Sequence, residues 1–350
     1  MKDTFYIQWH ITNFCNLRCR HCYQDDFSKE KDLGWPELRK ISDHILDAMK
    51  VWGKSACIHL TGGEPLLKPE LFPLLDYLNV DARVEELGLI TNGLLLDGRV
   101  TKELSSYSKL KKIKISLDGP EARINDPIRQ KGVFERVIQT VRRLRSEERF
   151  DLIFMFTVMK SNYKHLSLLV RLCQELGMNG LILERFVPWG RGRENIAEVL
   201  DRREWKEFLG TLYELLSFDI DDVPPLPYQA FQVQFHEGEM ELSGAPCVIG
   251  VDGLSVMPEG QVFPCRRFPT PIGNLMSDPL DQLWANSELL DTLRHKENLK
   301  GRCRTCEYND CRGCRSLAFA LTGDYLEEDP HCCHITEERF LLPSSSTSAH

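Results

Sequence analysis

The chain lacks the surplus of basic residues that marks most proteins binding nucleic acid. Its 350 residues carry 44 lysines and arginines against 52 aspartates and glutamates, a formal net charge of −8. A protein that grips phosphate backbones usually has the opposite balance. The sequence also has no stretch close to the roughly 20 apolar residues of a membrane span. Neither nucleic acid nor a membrane is therefore expected as a partner.

The N-terminus lacks the apolar core of a secretory signal, because residues 1–4 lead directly into an apolar–polar alternation. The 13 cysteines are an odd number in a large chain, whereas secreted disulfide scaffolds are usually small and have an even count. We therefore expect a cytoplasmic protein whose thiolates hold metal. Cys57 and Cys173 stand apart from the two cysteine groups and are predicted to be small core thiols.

Strand-like and helix-like segments alternate over the first 200 residues. This alternation is typical of parallel βαβ units, and about six units fit, fewer than the eight of a closed barrel. Strands are predicted at residues 4–10, 56–60, 87–91, 112–117, 152–158 and 181–186. Helices are predicted at residues 35–51, 103–107, 134–145, 166–176 and 203–218, the last lying beyond the alternating region.

The composition predicts four parts of the chain. Residues 1–200 form an α/β partial barrel, and residues 201–244 a helix and linker, with the proline-rich Asp219–Pro227 as the linker itself. Residues 245–338 form a small cysteine-rich domain. The low-complexity residues 339–350 are expected to be a disordered tail.

Three cysteines, Cys15-x3-Cys19-x2-Cys22, follow the first predicted strand. Active loops of parallel βα folds lie at such strand ends. Iron–sulfur clusters normally take four thiolates, so three leave one iron of a cubane free to bind a small molecule. The alternative is a zinc site in which His21 supplies a fourth ligand.

Three further turns follow the next strands in order. Residues 61–65 read Thr-Gly-Gly-Glu-Pro, residues 91–93 read Thr-Asn-Gly, and residues 116–120 read Ser-Leu-Asp-Gly-Pro, with Arg129 shortly after. Glycines let the backbone approach a ligand closely, and a carboxylate can hold an ammonium group. Each turn alone is weak evidence, but together on successive strand ends they indicate one binding site.

With these motifs, residues 4–190 resemble the radical S-adenosylmethionine (SAM) superfamily. The resemblance implies a partial (β/α)6 barrel, with a [4Fe–4S] cluster on Cys15, Cys19 and Cys22 whose fourth iron is chelated by SAM. His21 stands where the family usually has an aromatic residue near adenine. The SAM contacts implied are the Tyr23 backbone at adenine, Gly62, Gly63 and Glu64 along the methionine moiety and its amino group, and Ser116 and Arg129 at the ribose and carboxylate.

The resemblance also implies the chemistry. The reduced cluster passes one electron into SAM, and the resulting 5′-deoxyadenosyl radical abstracts hydrogen from an unactivated C–H bond, while the protein supplies orientation and exclusion of side reactions. The expected electron donor is reduced flavodoxin or ferredoxin. The general acid or base stays unknown. Asp118, Glu184 and His59 are candidates at the barrel mouth, although Asp118 also suits a turn and His59 a strand.

The C-terminal cysteines occur in an order that resembles the SPASM extension of many radical SAM enzymes, over about residues 245–335. Zinc is the alternative there, since Cys-x2-Cys pairs also occur in zinc ribbons. The resemblance implies two auxiliary [4Fe–4S] clusters. Auxiliary cluster I has only three thiolates, so its fourth iron is open or is closed by Cys333. The implied ligands are Cys247, Cys265 and Cys314 for cluster I, and Cys303, Cys306, Cys311 and Cys332 for cluster II.

The substrate is less well determined. The resemblance favours a maturase of a ribosomally made peptide or protein. The alternative is a tetrapyrrole-modifying enzyme of a haem-type pathway, and an alternative of another class is an iron–sulfur electron-transfer or scaffold protein. Arginines in residues 185–192 suit an anionic substrate or form only a solvated turn. Few residues precede the first strand, so peptide recognition is expected from the barrel or a separate leader-binding protein.

Overall fold

A single mixed sheet of eleven strands organises the protein. The computed structural model describes residues 4–217, 228–236, 239–246, 249–308 and 311–332. The strand order is β11-β10-β9-β1-β2-β3-β4-β5-β6-β7-β8. The predicted linker 219–227 and tail 339–350 lie outside the described residues, as do Cys247 and Cys333. No helix within the described part of the chain is long and apolar enough to cross a membrane.

The first six strands are parallel and form the partial barrel. Each predicted strand occurs within one or two residues of its expected position, except that β3 begins three residues earlier. The strands are β1 Thr4–His10, β2 Ser55–Thr61, β3 Val84–Thr91, β4 Leu110–Ser116, β5 Asp151–Val158 and β6 Gly180–Arg185. They pair in chain order, β1 with β2 through to β5 with β6. The predicted fold class is therefore confirmed for the barrel.

Helices cover the outer face of the barrel. The prediction of a helix at residues 103–107 was wrong by several residues, because an Asp97 side chain caps a helix that starts at Gly98. Helix α2 was missed because its sequence is apolar on nearly every side, which hides the helical period. The helices are α1 Trp35–Trp52, α2 Leu71–Val80, α3 Gly98–Leu104, α4 Ala122–Asn125, α5 Val133–Arg145, α6 Leu166–Glu175 and α7 Arg202–Leu215.

The cysteine-rich region continues the same sheet. Strand β9 (Gly253–Val256) pairs in parallel with β1, so this region is joined to the barrel by backbone hydrogen bonds. On the other side, β7 (Tyr228–His236) and β8 (Glu239–Pro246) extend the sheet antiparallel from β6. The remaining elements are β10 Gln261–Phe263, β11 Gly273–Asn274, α8 Leu280–Asn286, α9 Glu288–Arg294, α10 Gly301–Thr305 and α11 Arg315–Thr322.

The two faces of the barrel strands differ in polarity. Alternate residues of each strand point to opposite sides. In β1, Phe5, Ile7 and Trp9 are buried in the main apolar core. The residues between them, such as Tyr6 and Gln8, face the inner side of the barrel, where polar groups collect. This polar inner side leads to a cleft at the carboxyl ends of the strands.

Candidate functional site

A cleft opens at the carboxyl ends of the barrel strands. Its empty volume is about 940 Å³, part of it open to solvent. Cys15, Cys19 and Cys22 all line it, as the strand-end argument predicted. Five of the six predicted SAM-contact residues line it as well, namely Tyr23, Gly62, Gly63, Ser116 and Arg129.

The cysteine loop is fixed by the loop after β6. The amide of Gly192 donates to the carbonyl of Cys22 (2.8 Å), and Arg191 donates to the carbonyl of Gln24 (3.0 Å). Gly190 has φ +55°, and a Cβ placed there would lie 2.2 Å from the carbonyl oxygen of Tyr23. Only glycine fits this close approach. The loop after β6 therefore has a structural role that the sequence did not reveal.

The three thiols suit iron–sulfur ligation. The Leu17 amide donates to the Cys15 sulfur (3.4 Å), and the Arg129 guanidinium lies 3.9 Å from the Cys19 sulfur. Burial raises the pKa of Cys15 to about 11 and that of Cys22 to about 12. Without a metal these thiols stay protonated at neutral pH, whereas metal coordination holds sulfur as the thiolate.

The spacing of these sulfurs favours a cluster over one zinc ion. Four ligands around zinc at about 2.3 Å place sulfur atoms about 3.8 Å apart. Among the described residues, the three loop cysteines do not form a group whose ligand atoms all lie within 4.8 Å of one another, with or without His21. In a cubane each thiolate binds a different iron, which requires wider spacing. The donor set therefore fits a [4Fe–4S] cluster.

The Gly-Gly-Glu turn after β2 packs against the cysteine loop. A Cβ on Gly62 would lie 2.4 Å from the Thr12 carbonyl oxygen, and one on Gly63 would lie 2.3 Å from that of Phe14. Both glycines also line the cleft. Their small size lets two loops meet at the site, and this packing role is additional to the predicted SAM contact.

Glu64 lies beneath the cleft rather than on its wall. It is fully buried, and its carboxylate accepts hydrogen bonds from the Thr91 hydroxyl (2.7 Å) and the Asn92 amide (2.8 Å). Burial raises its pKa to about 7 despite these bonds. In this structure Glu64 braces the turn after β3, and Thr91 and Asn92 line the cleft above it. The predicted contact to the SAM amino group stays a prediction.

Tyr23, Ser116 and Arg129 line the cleft, as expected for SAM contacts. The Tyr23 hydroxyl lies 2.9 Å from His10 Nδ1 and donates to the Gly62 carbonyl at 3.2 Å. This side chain therefore ties the cysteine loop to the ends of β1 and β2, while its backbone is the part predicted to meet adenine.

Asp118 joins two of the residues around the cysteines. Its fully buried carboxylate lies 2.6 Å from Arg129 Nε and 2.9 Å from His21 Nε2. Although burial opposes ionisation, these two partners hold the pKa of Asp118 well below its usual value. Asp118 does not line the cleft and is not placed as a general acid or base; it positions the two side chains that do line it.

Two arginines missed by the sequence analysis line the cleft from the cysteine-rich region. Arg266 pairs with Glu184 and also donates to Gln8 Oε1 (2.8 Å). Arg267 donates to the carbonyl of Arg185 (2.9 Å). Burial alone would raise the pKa of the Glu184 carboxyl, but the charges of Arg266 and Arg267 hold that pKa below its usual value. Their position directly after Cys265 was the available signal, but only the fold brings them to the barrel mouth.

The arginines predicted to meet an anionic substrate in residues 185–192 are placed differently. Arg185 is buried and pairs with Asp329 at 2.7 Å, so it links the barrel to the C-terminal region. Arg191 lines a separate surface depression with Arg18 and Glu194. Arg185 fits neither of the two alternatives, an anionic substrate or a solvated turn, because a buried carboxylate from 144 residues further along the chain neutralises it.

The C-terminal cysteines lie in a network of backbone and arginine donors. The Cys303 sulfur accepts hydrogen bonds from Arg315 (3.3 Å) and from the Asp329 amide (3.4 Å). The Cys314 amide donates to the Asp329 carboxylate (2.7 Å). Such donors stabilise sulfur ligands of clusters. Whether auxiliary cluster I has an open iron stays a prediction, since Cys247 and Cys333 lie outside the described residues.

Cys57 and His59 belong to a polar cluster on the inner side of the barrel, below the cleft. Their side-chain atoms lie within 4.8 Å of each other and of the Glu86 carboxylate. Lys112 pairs with Glu86 (2.8 Å), and Lys114 lies 3.0 Å from His59 Nδ1. The lysines supply the positive charge that a metal ion would bring. His59 is therefore not at the mouth, and Cys57 is not a simple core thiol, whereas Cys173 is fully buried as predicted.

Family models match two segments of the chain. Residues 9–173 match the radical SAM superfamily, and residues 247–307 match the SPASM iron–sulfur cluster-binding domain. The AdoMet-dependent heme synthase of Methanosarcina barkeri is 32% identical over 345 residues, covering 94% of this chain and 96% of that protein. The chain belongs to the radical SAM superfamily.

This radical SAM protein is also similar to a maturase and to a solved structure with a bound peptide. The mycofactocin maturase MftC of Mycobacterium ulcerans is 30% identical, covering 93% of this chain and 87% of that protein. A solved structure of native anSMEcpe with bound AdoMet and Kp18Cys peptide has a TM-score of 0.72 over 94% of each chain, at 17% identity. That structural likeness shows the shared fold.

Family membership confirms several predictions. The protein is a radical SAM enzyme, so the electron-transfer or scaffold alternative is excluded. Its cofactors are SAM, the [4Fe–4S] cluster at the SAM site and the auxiliary clusters of the SPASM domain. The donor sets described above fit these groups. The assignment of individual ligands and SAM contacts rests on the motifs and the geometry and remains a prediction.

Proposed function

We propose that the protein modifies a ribosomally made peptide or protein by SAM-dependent hydrogen abstraction. The observation that carries the proposal is a cleft that is lined by the three loop cysteines and by residues of the SPASM domain, and that opens to solvent. An open cleft between two regions accepts a segment of a larger chain. When bound, the cluster and SAM supply one-electron cleavage of SAM and the hydrogen abstraction that follows.

The protein's own residues orient and enclose these groups. Cys15, Cys19 and Cys22 would hold the cluster, and Gly62 and Gly63, which line the cleft, would lie along the methionine part of SAM. Apolar side chains, among them Met155 and Phe186, line other parts of the cleft. Apolar walls exclude water and protect reactive species from side reactions.

Two sequence relatives support a peptide substrate. MftC is named as a maturase, and AlbA of Bacillus subtilis, 26% identical over 87% of this chain, as a biosynthesis protein of the bacteriocin subtilosin. We propose in addition that reduced flavodoxin or ferredoxin supplies the electron, and that a separate protein binds any leader peptide. The four-part division of the chain, with the SPASM domain at residues 245–338, belongs to the same proposal.

A tetrapyrrole substrate is the second candidate, and a specific observation favours it. Three AdoMet-dependent heme synthases match 94% of this chain, at 32%, 26% and 26% identity. The heme synthase of Methanosarcina barkeri is 32% identical and MftC of Mycobacterium ulcerans 30% identical, so both substrate classes enter the test.

Anaerobic reconstitution tests the proposal in two steps. First, the cluster-loaded protein with dithionite and SAM should form 5′-deoxyadenosine. If no 5′-deoxyadenosine forms, the radical SAM activity is contradicted. Second, candidate precursor peptides and a porphyrin with propionate side chains are each added, and the masses of the products are measured by mass spectrometry. Modification of a peptide supports our first choice, whereas loss of carbon dioxide from the porphyrin overturns it. A Cys19→Ser variant is the control for background cleavage.

A further inference from the structure

Among the residues that the structure describes, one arginine of the cleft has no carboxylate within salt-bridge distance. Three arginines line it, namely Arg129, Arg266 and Arg267. Arg129 pairs with Asp118 at 2.6 Å, and Arg266 pairs with Glu184. Within the described residues, Arg267 has no carboxylate within salt-bridge distance, and Glu184 is the sole carboxylate on the cleft wall. Apart from the cysteines, the cleft wall therefore carries an unbalanced positive charge.

The Arg267 guanidinium is oriented but not satisfied. Its Nη1 donates to the carbonyl of Arg185 at 2.9 Å, which fixes the plane of the group. Its Nε is buried and has no hydrogen-bond partner among the described residues. The Nε atoms of Arg129 and Arg185 are in the same state although both arginines have a carboxylate partner, so the lack of a carboxylate within salt-bridge distance is what sets Arg267 apart. Its Nη2 makes no hydrogen bond within the described residues and is not among the buried unpartnered atoms, so it is the nitrogen that a carboxylate in the cleft can reach.

The neighbouring ion pair explains why Arg266 does not fill the same role. Its guanidinium is held between Glu184 and Gln8, and it lies 5.6 Å from the centre of the Tyr23 ring. These contacts use the charge of Arg266 to join the SPASM domain to the barrel. The adjacent Arg267 has the same side chain, but no described carboxylate lies within salt-bridge distance of its guanidinium.

We propose that Arg267 binds a carboxylate of the substrate and so positions it in the cleft. This inference rests on the proposed function and narrows it, because it requires an anionic substrate: a peptide with an acidic side chain or terminal carboxylate, or a tetrapyrrole with propionates. A fixed guanidinium loses little freedom on binding, which favours both affinity and a defined orientation of the reacting C–H bond.

A competing role is neutralisation of the neighbouring auxiliary cluster. Arg267 follows Cys265 by two positions, and its charge also opposes the rise in pKa that burial causes at Cys314. The two roles differ in what they predict. A carboxylate anchor affects the binding of charged substrates, whereas a cluster counter-charge affects the spectrum and potential of the cluster.

The test measures binding to the cluster-loaded, SAM-bound protein with matched probes. Coproporphyrin III is compared with its tetramethyl ester, and a glutamate-containing peptide with its glutamine twin. The wild-type protein should prefer one of the charged probes by about tenfold or more, since a charge-assisted pair is worth at least that factor. Arg267→Gln should abolish the preference, Arg267→Lys should retain part of it, and Arg193→Gln, an exposed arginine beside the cysteine loop, should retain it fully.

Three outcomes would overturn the inference. They are an unchanged preference in Arg267→Gln, binding of no charged probe by the wild type, and an altered auxiliary-cluster EPR signal with unaltered binding. The class of charged probe that binds distinguishes the peptide source of the carboxylate from the tetrapyrrole source. Formation of 5′-deoxyadenosine by the wild-type protein is measured in parallel. If it is absent, the proposed function fails, whereas if it is present without a carboxylate preference, only the role of Arg267 fails.

Discussion

Arg185 at the end of β6 and Asp329 near the C-terminal cysteines form a buried ion pair of 2.7 Å. The same carboxylate accepts a hydrogen bond from the Cys314 amide, and the Asp329 amide donates to the Cys303 sulfur. Arg185 also lies over the Trp205 ring, 5.0 Å from its centre. One pair thus links the barrel to residues assigned to both auxiliary clusters.

Removing one partner of this pair should be strongly destabilising. Asp329→Ala leaves a buried guanidinium without a counter-charge, which typically costs about 3–5 kcal/mol. The double variant Arg185→Met/Asp329→Leu should recover part of that loss, because both charges are gone. Urea unfolding of the cluster-loaded proteins measures both effects. Arg202→Ala removes an exposed pair with Glu328 and should cost less than about 1 kcal/mol; equal losses at the two sites would contradict the argument.

Gly190→Ala should loosen the cysteine loop. The new methyl group would meet the Tyr23 carbonyl oxygen at 2.2 Å in a left-handed backbone conformation, so the loop after β6 must move. We expect a clear loss of iron and sulfide at the SAM-site cluster after reconstitution. Gly98→Ala is the matched control, since nothing lies within 4 Å of its Cβ position. Full cluster occupancy in Gly190→Ala would show that the contact does not hold the loop.

Asp118→Asn should weaken SAM binding by about tenfold. The amide cannot neutralise Arg129 and orient His21 as the carboxylate does, and a charged hydrogen bond is typically worth about 1.5–3 kcal/mol. Equilibrium dialysis with labelled SAM measures the dissociation constant. Glu121→Gln, which removes an exposed carboxylate paired with Arg123 in the same loop, should leave it unchanged. An unchanged SAM dissociation constant in Asp118→Asn would show that Asp118 does not support SAM binding.

Lys114 should make stability depend on alkaline pH. Burial lowers its pKa to about 8, so between pH 8 and about 10.4 the unfolded chain binds the proton that the folded protein has released. The contribution of Lys114 to the free energy of unfolding therefore rises with pH between pH 8 and about 10.4, by up to about 3 kcal/mol. Urea unfolding at several pH values compares the wild type with Lys114→Met and with the control Lys111→Met.

The expected sign is specific. Lys114→Met lacks this titration, so its stability relative to the wild type should be highest at pH 7 and fall as the pH approaches 10.4. Lys111 is an exposed residue of the same strand. The difference in unfolding free energy between the wild type and Lys111→Met should therefore be the same at every pH. If the free energy of unfolding of Lys114→Met follows the same pH dependence as that of the wild type, the pKa of Lys114 is not lowered by folding. His59 and Glu86 would then accommodate the charged lysine without a loss of stability.

Much of the fold followed from local sequence. The alternation of strands and helices predicted the parallel barrel, since each period is set by neighbouring residues. Helix α2 and the position of α3 were not predicted, because an apolar helix has no polar face and a cap overrode the apolar pattern. The pairing of β9 with β1 joins residues about 250 apart, and no local signal encodes such a contact.

The cysteine triplet and the turns after β2, β3 and β4 were readable because ligand spacing and glycine requirements are local properties. By itself the sequence thus determined the family, the cofactors and the loops that meet at the cleft. Only the tertiary structure decided which charges remain free there. Folding pairs Arg185 with Asp329 and Arg266 with Glu184, and it leaves Arg267 unpaired by any described carboxylate, because ion pairing depends on distances between residues that are remote in sequence.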